Sequence, residues 1–87
     1  MKVNKILIED KIKEKILDKH NIKAYEIKDV LLNNPYILKS KIGRYMAIGK
    51  SERFITVIFE IIGDTAFIIT TYPSSDAQRK LYKIKRQ

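Results

Sequence analysis

Six consecutive residues, Thr70-Thr71-Tyr72-Pro73-Ser74-Ser75, bring five hydroxyl groups to one short stretch. They lie where a hydrophobic run ends and a basic segment begins. Hydroxyls and a phenol there, beside the free amides of a helix N-terminus, can hold a phosphate or an oxyanion. The plainer reading is that the threonines suit a strand and Ser75 caps a helix. The chain has one histidine, His20, which directly follows Lys19. Imidazoles exchange protons near neutral pH and serve as general acids and bases. A histidine closing a helix also satisfies the last carbonyls and suits the helix dipole. Arg44 and Arg53 each open a hydrophobic run. Arginines so placed clamp phosphates bidentately, or discourage sheets from pairing edge to edge.

Other chemistries find few residues. With no cysteine there is no disulfide framework, thiolate metal site or cysteine nucleophile. One histidine without cysteine is a poor start for a zinc site. Gly43, Gly49 and Gly63 are the only glycines and form no phosphate-binding loop. No Ser-His-Asp order and no EF-hand spacing is present. The expectation is chemistry without metal or cofactor.

At 87 residues the chain has room for one domain, residues 1–87, and one core. Hydrophobic residues make up 45%, enough for a folded interior. The opening MKVNKILIEDKIKEK is too densely charged for a secretory signal, and no apolar run approaches the roughly 20 residues of a membrane span. A cytoplasmic protein is expected. The net charge is +8, unevenly spread. Residues 1–36 hold eight lysines and six acidic residues, whereas 37–87 hold ten Lys/Arg and four acidic residues. The second part is the candidate surface for a polyanion such as RNA, or else a solvated lysine-rich surface.

The elements that must position these residues follow from periodicity. Lys5 to Glu9 reads as a short strand or as the lead-in to a helix. Ile8, Ile12, Ile16 and His20, with Leu17 beside them, predict a helix from Asp10 to about Lys19, stopped by Asn21. A second helix, from about Ala24 to Leu32, buries Ala24, Ile27, Val30 and Leu31 and ends at Asn33-Asn34-Pro35. The period then changes from 3.6 to 2. Strands are expected over 36–40, 44–49, 53–62 and 65–72, joined by turns short enough for hairpins. Ser75 and Gln78 have capping-box spacing, with Asp76 in the first turn of a final basic helix. Its apolar stripe is Ala77, Leu81 and Ile84, surrounded by Arg79, Lys80, Lys83, Lys85 and Arg86. The fold class is thus α+β: two N-terminal helices, a four-stranded antiparallel meander and a C-terminal helix.

In this order the motifs resemble the BrnT family of bacterial toxins, ribonucleases related in fold to RelE and the barnase–EndoU–colicin–RelE group. The resemblance runs from about Ile12 to Tyr82. It rests on Lys19-His20-Asn21-Ile22 closing a helix, Asn34-Pro35 closing the next, and Arg44-Tyr-Met-Ala-Ile-Gly49. Arg53 then leads a hydrophobic strand, and an Ile-Ile-Thr-Thr strand enters a basic helix. The family's Ser-Ala-Arg segment is replaced here by Thr70-Thr71-Tyr72, so its arginine is missing. The family's usual acidic residue before the Arg44 position is also absent. Thr-x-Tyr-Pro is similar instead to the ending of other nucleases in the wider group.

The resemblance implies metal-independent cleavage of RNA, messenger RNA foremost, by the RNA's own 2′-OH. His20 would move protons, Arg44 and Arg53 would bind phosphate, and Thr70, Tyr72 and Ser74 would position it. Lys19, Thr71, Ser75, Arg79 and Lys80 would bind or steer the RNA. A type II cognate antitoxin, often of the ribbon-helix-helix kind, would cover the basic face, in a toxin–antitoxin hetero-oligomer or with a dimer of the toxin. The missing arginine favours a second reading, a non-catalytic RNA-binding or partner-binding module. A third is a small ribosome- or tRNA-associated protein.

Overall fold

The structure is a computed structural model and describes residues 3–85. Among these are, in chain order, β1 (Lys5–Leu7), α1 (Asp10–His20), α2 (Ala24–Leu32), β2 (Tyr36–Lys41), β3 (Arg44–Lys50), β4 (Phe54–Ile62), β5 (Thr65–Pro73) and α3 (Asp76–Lys85). Arg86, expected on the last helix, lies outside the described residues.

The strands form one sheet in the order β1-β5-β4-β3-β2. Strands β2 to β5 are the expected antiparallel meander. The sheet nevertheless has five strands where four were expected, and it is mixed. Lys5–Leu7 is a strand that pairs parallel with Thr65–Phe67. Asp64 anchors it, its carbonyl accepting from the amides of Asn4 and Lys5 at 3.0 and 3.2 Å. Three residues are too few to show a period, and the partner strand lies far along the chain.

Alternation sorts the meander into two faces. Ala47, Ile55, Val57, Phe59, Ala66 and Ile68 point toward α1 and α2 and meet Ile16, Ile22, Ile27, Val30 and Leu31 in the core. Leu17, expected in the stripe of α1, is 41% exposed, because the helix packs through Ile12 and Ile16 instead. The two helices turn at Asn21, which takes the left-handed conformation (φ 54°) and donates its amide to the Leu17 carbonyl at 2.8 Å. Helix α2 lies close on β3: a Cβ placed on Gly49 would stand 2.9 Å from Val30 Cγ1.

The opposite face of the sheet carries α3. Ser75 and Gln78 form the expected capping box, the Gln78 amide donating to Ser75 Oγ at 3.2 Å and the Ser75 amide to Gln78 Oε1 at 2.9 Å. The face it turns to the sheet differs from the expected stripe. Gln78, Leu81 and Tyr82 are half-buried, while Ala77 and Ile84 are exposed. The sheet beneath is hydroxyl-bearing at this point, through Thr56 and Tyr72, and takes an amide where an aliphatic side chain was expected.

Candidate functional site

The outer edge of β5 is paired only at its start. Beyond Phe67 no strand of the described residues lies beside it. The pairing with β4 slips between Ile58 and Phe59, leaving Ile69 as the extra residue of a bulge. A bulge bends its strand and re-aims the side chains around it. Ile69 and Thr70 here border the end of α1. With Ile12, Lys15, Ile16, Lys19 and His20 they line a groove of about 230 Å³. His20 and Thr70, fifty residues apart in the chain, thus border one groove. His20 is half-buried, and Lys15 and Lys19 beside it are exposed.

Thr70 and Tyr72 lie on one face of β5, opposite Ile58 and Thr56 of β4. Around Tyr72 runs a hydrogen-bonded network. Thr56 Oγ1 is 2.8 Å from Ser74 Oγ and donates to Gln78 Oε1 at 3.0 Å. Gln78 Nε2 donates to Tyr72 Oη at 3.1 Å. Thr71 takes the other face and is completely buried, with no partner for its Oγ1.

Arg53 reaches the same corner from the far side. Its Nε donates to Glu26 Oε1 at 3.2 Å, and its Nη2 to Glu26 Oε2 at 3.3 Å and to the Asn21 carbonyl. The guanidinium therefore ties the residue after His20 to α2. Glu26 is 3% exposed and also accepts from the Lys23 amide at 2.9 Å. Burial pushes its pKa up, but the Lys23 bond and the Arg53 guanidinium together outweigh burial and hold the carboxyl below the usual glutamate value. A carboxyl more acidic folded than unfolded stabilises the fold above the unfolded pKa, about 4.3, and that contribution is lost as pH falls through the folded value. The melting temperature should therefore change little from pH 7 to about 5 on this account, and then fall in acid. Glu26→Gln should melt lower at neutral pH and show a shallower acid decline. Parallel acid declines in the two proteins, followed by circular dichroism, would contradict this role of Glu26.

The remaining predicted residues sit apart. Arg44 pairs with Glu60 at 3.3 Å on the face opposite α1, two strands from β5, a spacing of about 10 Å. It does not line the His20 groove. Arg79 pairs with Asp76 on α3. Arg79, Lys80 and Lys83 surround Phe54, over whose ring Lys50 also stands at 5.6 Å. Ser74 connects this basic cluster to the β5 edge, since its amide donates to the Phe54 carbonyl at 3.1 Å. Sequence reasoning missed Thr56 and Lys15 as site residues and saw Gln78 as a cap alone. Cross-strand register and helix docking brought the first two in, and neither is a local signal.

A helix pair on one face of a mainly antiparallel sheet, with a basic helix on the other, defines a compact α+β class. Within that class the chain is similar to a solved structure, the 1.1 Å crystal structure of the Brucella abortus ribonuclease toxin BrnT. The TM-score is 0.69 at 23% identity, and the match covers 83% of this chain and 97% of that one. The two share a fold, in line with the resemblance seen in the sequence. No family model matches the sequence, and no curated protein matches it. No helix among the described residues is long and apolar enough to cross a membrane.

Proposed function

We propose that this chain is the toxin of a type II toxin–antitoxin pair and cleaves RNA at the free edge of β5, without a metal ion. The observation that carries the reading is the groove joining His20 to Thr70 beneath Lys15 and Lys19. The fold shared with a protein described as a ribonuclease toxin supports it.

In the proposed reaction a neutral His20 takes the proton of the 2′-OH. The ribose oxygen attacks the adjacent phosphorus, and the bond from phosphorus to the 5′-oxygen breaks. The departing oxygen takes a proton from solvent, to which His20 returns the one it accepted, leaving a 2′,3′-cyclic phosphate and a 5′-hydroxyl with no net water consumed. Thr70, Tyr72 and Ser74 position the substrate, the Thr70 and Tyr72 hydroxyls donating to the non-bridging oxygens. Lys15, Lys19, Arg79 and Lys80 draw the polyanion in. We assign Arg53 to holding the His20 corner, through Asn21, rather than to the phosphate. Arg44 receives no part in this reaction. The protein antitoxin would cover the basic face, in the cytoplasm.

A second reading has a specific observation behind it. Arg44, Arg53 and Arg79 are each paired with a carboxylate of the chain itself, leaving phosphate binding, among the described residues, to lysines and hydroxyls. This suits a non-catalytic RNA-binding module. The two readings separate on one experiment. Purified protein in chelator is incubated with an RNA oligonucleotide and with its fully 2′-deoxy counterpart. The proposal predicts cleavage of the RNA and none of the deoxy strand. Binding of both with cleavage of neither selects the module.

A further inference from the structure

The side-chain amide of Gln78 has one permitted orientation. Its Oε1 accepts from the Ser75 backbone N–H at 2.9 Å, and a backbone N–H can only donate. Nε2 must then face Tyr72 Oη at 3.1 Å and Met46 Sδ at 3.7 Å, one hydrogen to each. Nε2 has no lone pair to accept with, so Tyr72 is the acceptor of that bond. On the other side Thr56 directs its single proton to Gln78 Oε1. The 2.8 Å contact between Thr56 Oγ1 and Ser74 Oγ must therefore use the proton of Ser74.

We infer that Gln78 sets the hydrogen-bond polarity of the site, holding Tyr72 as an outward donor and Ser74 as an outward acceptor. The inference rests on the reading of the β5 edge as the RNA site. Tyr72, its oxygen engaged by Gln78, presents its O–H to a phosphate oxygen. Ser74, its proton turned inward, presents lone pairs alone, which suit a substrate donor such as a ribose hydroxyl. An RNA strand carries both complementary groups, whereas a DNA strand lacks the second. Gln78 itself touches no substrate and is a positioning residue.

The test is Gln78→Glu, which separates capping from positioning. Glutamate three residues after Ser75 completes a capping box as well as glutamine does, and still accepts from Ser75 and Thr56. It has no N–H for Tyr72, so the phenol turns its own proton inward to the carboxylate. The expected result is a melting temperature equal to or above that of the wild type. Single-turnover cleavage at saturating RNA should fall about 10- to 100-fold, the scale of one charge-assisted hydrogen bond. Tyr72→Phe should lose a similar factor, and Q78E should add little to it. The ¹³Cζ resonance of Tyr72 should differ between wild type and Q78E, because the phenol accepts in one and donates in the other. Wild-type cleavage by Q78E, or an unchanged ¹³Cζ shift, overturns the inference. If the wild type cleaves no RNA, the reading of the site as a ribonuclease fails, and the ¹³Cζ comparison alone decides whether Gln78 sets the polarity.

Discussion

His20→Ala should lower single-turnover RNA cleavage by about 10²- to 10⁴-fold, the range supplied by a positioned general acid or base. It should do so with little loss of stability. The imidazole is half-buried at the last residue of α1, and among the described residues no side-chain hydrogen bond or ion pair depends on it. Asn21, which closes the helix with its own backbone, is left in place. Added free imidazole should restore part of the rate by occupying the space left beside Thr70. Three measurements check this together: the cleavage rate, the melting temperature, and RNA affinity by fluorescence anisotropy. Affinity should hold within a few-fold, because lysines dominate the attraction. A variant that cleaves at the wild-type rate would remove His20 from the mechanism.

Arg53→Ala should act by another route. It strips the partner from a glutamate that is almost fully buried, and it releases the Asn21 carbonyl. Leaving a buried charge unpaired is the costly half of breaking such a pair. Arg53 is itself 40% exposed, so the loss falls below that of a fully buried pair, at about 2–3 kcal/mol. In a domain of this size that lowers the melting temperature by roughly 10–20 °C. Glu26→Gln should relieve much of it, so the double variant should be more stable than the sum of the two singles. Thermal melts of the four proteins test this. Assayed well below its melting temperature, Arg53→Ala should keep cleavage within about tenfold of wild type, as a residue remote from the phosphate would. Additive stability changes, or a loss of activity in a fully folded variant matching that of His20→Ala, would place the guanidinium on the substrate instead.

The contrast between these residues shows what a sequence of this kind discloses. Signals that act over a few residues were legible. Period-2 alternation placed β2 to β5, Asn21 closed α1, and Ser75 with Gln78 opened α3. Each depends on neighbours within one turn or one hairpin. Lys5 to Glu9 read equally as a strand or as the lead-in to a helix, and the place of β1 in the sheet was not legible, because its partner Thr65–Phe67 lies far along the chain and its three residues carry no period. Nor was the engagement of Arg53, since its partner Glu26 is 27 residues away and looks, in the sequence, like one more surface acid. The inward face of α3 was misjudged because hydrophobicity was taken as the mark of burial. Its neighbours across the sheet are hydroxyls, and hydroxyls select an amide.

The same distinction applies to the site. The hydroxyl-rich exit of β5 and the single histidine stood out by residue type. The meeting of Thr70 with His20 depends on a bulge at Ile69 and on how α1 docks against the open edge of the strand. Thr71, one residue from two site hydroxyls, is buried on the opposite face by alternation. Arg44 is held away from the groove by strand order.

The most direct measurement is end-group analysis of RNA incubated with the purified protein in the presence of chelator. Cleavage by the neighbouring 2′-OH predicts fragments ending in a 2′,3′-cyclic phosphate and beginning with a 5′-hydroxyl. Fragments bearing a 5′-phosphate, or RNA that stays intact while bound, would contradict the account.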